Sequence, residues 1–171
     1  MADRRRAAAV TAVLLAAALA GCSGNSDSGG PPTPAPSSGA TVTTASGPLG
    51  TILVDGQGRT LYLWEADTSA RSTCTGDCAK AWPPLTVSGK PTAGAGVDAA
   101  LLGTTKRADG STQITFHRHP LYRFGGDTGA GETNGQGSTA FGAAWYVLDA
   151  SGNRVTTPAP SASSSVPGGG Y

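Results

Sequence analysis

The chain has 171 residues, enough for one ordinary domain. Glycine (26) and proline (12) are abundant, so much of the chain is turn or linker, and long amphipathic helices and coiled coils are excluded. Charged residues make up only 13% and the formal net charge is +1, which excludes a nucleic-acid binder working through a basic field and an acidic disordered tail.

In chain order, Asp3 is followed by Arg4, Arg5 and Arg6, then by a weakly apolar stretch from Ala7 to Ala20 that ends in Leu19-Ala20-Gly21-Cys22. A basic start, a short apolar run and small residues at the cut describe a secretory signal peptide over residues 1–21. The run is too short for a transmembrane helix, which needs about 20 apolar residues. Leu-Ala-Gly-Cys resembles the bacterial lipobox, which implies cleavage before Cys22 and acylation of its thiol. Each acyl chain adds about 0.8 kcal/mol per buried methylene, and more than one chain gives stable attachment. Removal of Asp3 and the three arginines leaves nine basic and ten acidic side chains, so anionic lipid is not the expected anchor.

Residues 22–48 are dominated by Ser, Gly, Pro and Thr and carry no aromatic side chain. They cannot bury enough apolar surface to offset ordering, and read as a disordered tether. Residues 156–171 read as a loose tail of similar composition. Between them, residues 49–155 hold nine of the ten aromatic side chains and the expected core.

Strand-like runs occur at Thr51–Val54, Thr60–Trp64, Thr112–Phe116, Pro120–Phe124 and Ala144–Leu148, separated by turn signals such as Asp55-Gly56-Gln57-Gly58 and Ser151-Gly152. Cys78–Trp82 and Val97–Leu102 each allow a helical turn or two, the second opened by Asp98. The expected fold class is mainly β: a small antiparallel domain with one or two short helical turns.

Leu61-Tyr62-Leu63-Trp64-Glu65-Ala66-Asp67 and Leu121-Tyr122-Arg123-Phe124-Gly125-Gly126-Asp127 share Leu-Tyr, an aromatic two positions later and an aspartate five positions after the tyrosine. Upstream, Ile52-Leu53-Val54 is paired with Ile114-Thr115-Phe116; downstream, Ala81-Trp82 and Leu85 are paired with Ala144-Trp145 and Leu148. Two copies of about 60 residues follow, at about 49–88 and 101–149, and the expectation is a pseudo-twofold pair sharing one core. On these motifs the chain resembles the bacterial secreted-repeat lipoproteins, a family marked by a Tyr-x-aromatic-x-x-Asp signature. The resemblance implies a name and a compartment outside the cytoplasm; it implies no established activity.

Tyr62, Trp64, Tyr122 and Phe124 are either core or aromatic platforms for a flat ligand, with Asp67 or Asp127 binding its hydroxyls; core is preferred, and all six stand as ligand-binding candidates. Cys74 and Cys78 are the thiols left once Cys22 is acylated, and outside the cytoplasm a structural disulfide is the expected pairing. Their spacing does not match Cys-x-x-Cys, and the single Met1 is removed, so no Cys/Met copper site is expected. His117 and His119 flank Arg118 and are two weak metal-ligand candidates that need a third from elsewhere; a solvated hairpin turn is the default. The long loop Gly125–Gly137, with Asp127, Glu132 and Asn134, is the expected ligand-facing region.

The sequence thus points to a non-catalytic module on the outer side of the cell membrane, lipid-anchored, binding an envelope component or small ligand, with no cofactor and no nucleic acid. The alternatives are a redox or metal-handling protein using Cys74/Cys78 and His117/His119, and a small hydrolase, for which no catalytic set is visible.

Overall fold

A computed structural model describes residues 40–158. The signal peptide, Cys22, most of the tether and the tail beyond residue 158 lie outside the described residues.

Each copy begins with a β-hairpin. In the first, β1 (Thr41–Gly47) pairs antiparallel with β2 (Gly50–Asp55), in register from Val42 opposite Asp55 to Gly47 opposite Gly50. In the second, β5 (Leu102–Lys106) pairs with β6 (Thr112–Phe116), from Leu102 opposite Phe116 to Lys106 opposite Thr112. β1 corrects the expected boundary: the domain starts near Ala40 and not at Leu49. Thr41-Val42-Thr43-Thr44 is β-branched throughout and suits a pleated strand, and Val42 is fully buried, which a composition average over the tether conceals. β5 was likewise not anticipated.

The short strand β3 (Tyr62–Trp64) pairs antiparallel with β8 (Trp145–Val147). Between copies, β4 (Thr92–Ala93) adds to β1 in parallel, and β7 (His119–Pro120) extends the second hairpin. Strand order is β2-β1-β4, β3-β8 and β5-β6-β7. Among the described residues, helix is confined to α1 (Asp77–Ala81) and 3-10 turns at Ala99–Leu101 and Ala140–Gly142. Asp98 caps the first of these turns by accepting from the Ala100 N–H, as its sequence position indicates.

The two copies are interlaced. The Leu53 N–H donates to Leu148 O, and the Ile114 N–H donates to Leu85 O, so the last segment of each copy completes the hairpin of the other. Bridges Ile52–Asp149 and Gln113–Thr86 repeat the exchange. At the centre, Tyr62 and Tyr122 exchange backbone N–H···O bonds of 2.8 and 3.0 Å, which puts the pseudo-twofold between them. The exchange makes Leu53 equivalent to Ile114, so Ile52-Leu53-Val54 corresponds to Gln113-Ile114-Thr115. The sequence pairing, which matches Ile52 with Ile114, is one residue out: Leu61 follows its hydrogen-bonded Leu53 by eight positions, and Leu121 follows Ile114 by seven.

Alternation along the central strands fills two cores. Leu53, Leu61, Leu63, Leu85, Ile114 and Leu121 form an aliphatic one; Tyr62, Trp64, Trp82, Tyr122 and Trp145 dominate an aromatic one. In the aromatic core, Phe124, Trp82, Trp145 and Trp64 form a continuous stack, with centroids 4.4, 3.9 and 5.1 Å apart in that order. The middle pair, one Trp from each copy, is parallel within 3°, while Tyr62 and Tyr122 meet Trp82 and Trp145 edge-on. Cys74 and Cys78 form the expected disulfide against this core.

Candidate functional site

The signature tyrosines and aspartates are bonded crosswise. The Tyr62 hydroxyl donates to Asp127 Oδ2 at 2.6 Å, and the Tyr122 hydroxyl donates to Asp67 Oδ2 at 2.5 Å. Each aspartate also ties down the loop that follows it. Asp67 Oδ1 accepts from the Thr73 N–H and hydroxyl at 2.8 and 2.6 Å, and Asp127 Oδ1 accepts from the Asn134 N–H at 2.9 Å. Burial, reinforced by the facing carboxylate, pushes both tyrosine hydroxyls well above their ordinary range. Burial also raises Asp127, against the hydrogen bonds from Tyr62 and Asn134.

A further buried group joins this network without any signal in the repeat pattern. Arg107 Nη1 donates to Ser72 Oγ and Gln113 Oε1, both at 2.6 Å, and Nη2 donates to the Cys74 carbonyl at 2.7 Å. Ser72 Oγ lies 2.7 Å from the Tyr122 hydroxyl, so a chain of donors runs from Arg107 through Ser72 and Tyr122 to Asp67. Tyr62 and Tyr122 are fully buried, and their polar atoms are spent on each other's copy. Trp64 and Phe124 end the aromatic stack. The Tyr62 and Tyr122 rings, fully buried, offer no face to a ligand, and with Asp67 and Asp127 they form the joint between the copies; Phe124 is half-buried, and Trp64 and Asp67 border an open cleft.

The long glycine-rich loop is closed as well. Gly135 packs so tightly that an added Cβ would lie 2.7 Å from the Trp82 ring. The Gly131 N–H donates to Gly58 O at 3.1 Å, and the Thr60 hydroxyl donates to Glu132 O at 2.6 Å, which seals this loop onto the hairpin of the first copy. The expected ligand-facing loop is in this structure a plug.

The equivalent place around the first copy's loop is open. A cleft of about 540 Å³ lies between the end of β3 with the residues after it, the β6–β7 turn and the Gly152–Arg154 segment. That volume is in the range of small-molecule sites. Glu65, Ser69, His117, Arg118, His119 and Arg154 reach it from both copies, with Trp64 in its floor. The β6–β7 turn has two central residues, His117 at φ 45° and Arg118 at φ 69°, the left-handed pair of a type I′ turn. Gly152 presses on this turn, and a Cβ there would meet that of His117 at 2.4 Å.

The predicted hairpin at His117–His119 is thus confirmed, with His117 and Arg118 exposed and His119 half-buried. Burial and the neighbouring His117 lower the His119 pKa, against attraction from Asp67. The imidazole centroids are 6.5 Å apart and mutually perpendicular, wider than the roughly 5 Å that two ligands on one tetrahedral ion require. Among the described residues no group of three or more His, Cys, Asp or Glu side chains is placed to hold a metal.

Among the described residues no helix is long and apolar enough to cross a membrane. No curated protein and no solved structure shows significant similarity to the chain. The family described as a secreted repeat of unknown function matches twice, at residues 43–86 and 103–149, and these segments are the two interlaced copies. Matched over more than half its length, with both repeats accounted for in the fold, the chain belongs to that secreted-repeat family.

Proposed function

We propose that this protein is a lipid-anchored, non-catalytic binding module on the outer side of the cell membrane, with its ligand site in the cleft between the β6–β7 turn and the segment that follows β3. The observation that carries the reading is a break in symmetry. The same repeat unit that seals itself with residues 130–132 around Gly58 leaves the matching space beside His117 and Arg118 open. Membership of a secreted-repeat family and the Leu19-Ala20-Gly21-Cys22 sequence support export and anchoring at Cys22. The buried Cys74–Cys78 disulfide favours a structural clasp over a redox couple, because Cys74 has no exposed surface.

Two measurements test this. Metabolic labelling with a fatty-acid precursor is expected to tag the wild-type chain and not the Cys22→Ser variant; equal labelling of both refutes the anchor. A defined array of envelope glycans and peptides, probed with the exported chain and with Ser69→Trp to fill the cleft, tests the site. Loss of the retained ligands in the variant is expected, and identical retention by both chains refutes it.

A further inference from the structure

We propose that the cleft receives an anionic group, a carboxylate or a phosphate, bound by the Arg118 guanidinium with His117 and His119 beside it. The inference deepens the cleft reading above and rests on it.

The charges of the cleft are unevenly satisfied. Both oxygens of Asp67 are engaged, by Tyr122 on one side and Thr73 on the other. Glu65 is ion-paired with Arg154, whose guanidinium also lies over the Tyr146 ring. Arg118 has no carboxylate within salt-bridge distance among the described residues, and it is exposed at the rim. The cleft therefore presents one uncommitted cation, while Glu65 is paired with Arg154 and the Asp67 carboxylate, though still charged, has both oxygens turned to donors of the protein.

Arg118 also stands where local preference argues against it. A type I′ turn is best made by Asn-Gly, and a non-glycine residue in the left-handed region costs about 1 kcal/mol. His117 and Arg118 both occupy that region and place an imidazole and a guanidinium at the rim instead. A guanidinium offers a planar fork of donors that matches the paired oxygens of a carboxylate or phosphate. The hydroxyls of Thr68 and Ser69 and the amide of Asn153, across the cleft, supply neutral donors for the remaining oxygens.

Around His119, burial and the neighbouring His117 disfavour protonation and Asp67 favours it, and Glu65, Arg118 and Arg154 line the same cleft. Protonation of His119 adds a positive charge to the site, so anion affinity rises as pH falls below the ordinary histidine range.

The test titrates inorganic phosphate, glucuronate and glucose separately into the exported chain at pH 5.5 and pH 8, reading NMR shifts of the His117 and His119 rings and of the Ser69 amide. Phosphate and glucuronate are expected to shift these signals, more tightly at pH 5.5, and glucose is not; the ratio of the two anions identifies which the site prefers. Arg118→Gln is expected to weaken anion binding about tenfold with an unchanged melting temperature, since Gln meets the same backbone strain, whereas Lys106→Gln, a cation outside the cleft, leaves it unchanged. If glucose binds as well as the anions, or Arg118→Gln binds them normally, the anionic assignment is overturned while the cleft stands. If the anions bind but shift only residues outside the cleft, the cleft reading falls with it.

Discussion

The crossed Tyr–Asp bonds make a prediction that the signature motif alone would place elsewhere. Within one motif Tyr62 precedes Asp67 and Tyr122 precedes Asp127, but the hydrogen bonds join Tyr62 to Asp127 and Tyr122 to Asp67. Tyr62→Phe removes the hydroxyl that reaches Asp127 Oδ2 and leaves that buried carboxylate with the Asn134 N–H on its other oxygen. A hydrogen bond to a charged, buried group contributes about 1.5–3 kcal/mol, so each Tyr→Phe change should cost about 2 kcal/mol. In double-mutant cycles with Asp→Asn, the crossed pairs should couple by at least about 1 kcal/mol, and the pairs within one motif by less than about 0.5 kcal/mol. Urea unfolding read by Trp fluorescence measures both, provided the m-value is constant across the set.

The pH dependence supplies a second arm. Asp127 is raised above 3.8 by burial, and the Tyr62 bond opposes that rise. Without the bond its folded-state pKa climbs further. A carboxyl raised in the folded state favours folding most below its unfolded value, and that benefit is lost as pH rises through the folded pKa. The deficit of Tyr62→Phe should therefore be full at pH 7 and shrink toward pH 4. Strong coupling within a motif and none across the copies would refute the interlaced joint.

Removing the Cys74–Cys78 disulfide opens a five-residue ring, for which the loop-entropy estimate is about 2 kcal/mol. The double Cys→Ala variant should melt lower by that margin, and an unchanged melting temperature would show the clasp to be idle. Replacing His117-Arg118 by Asn-Gly relieves two left-handed residues and should stabilise the chain by about 1 kcal/mol or more in urea unfolding while abolishing anion binding at the cleft. Gly135→Ala drives a methyl into the Trp82 ring and should cost about 1–3 kcal/mol, measured as a fall in the urea midpoint.

Much of the fold was legible because its signals are local. Asp98 marks a 3-10 turn, short runs rich in β-branched and aromatic residues mark β2 and β6, and Leu-Tyr followed by an aspartate marks each copy. What escaped depends on which segments meet in space. β1 lay hidden in a Thr-rich stretch whose average resembles the tether, and only Val42, packed under the aliphatic core, betrays it. Arg107 and Gln113 carry no motif, and their roles follow from reaching the Cys74 carbonyl in the other copy and the Leu121 carbonyl within their own. The glycine-rich loop drew attention because long loops often bind, yet its glycines serve close approach to Trp82 and to the hairpin at Gly58. His117 and Arg118, read as an ordinary solvated turn, line the open cleft because Gly152 and the residues after β3 frame them from parts of the chain remote in sequence.

The exchange of terminal segments bears on how such a protein can specialise. A closed pair of identical chains presents every surface twice, so any insertion that stoppers one hollow stoppers its mate. Joining the halves in one polypeptide lifts that constraint: one half can be given over to holding the assembly shut while the other is freed to change its lining. In this chain the halves have parted in that way, with the stopper at Ala130–Glu132 and the vacancy beside the turn at Arg118.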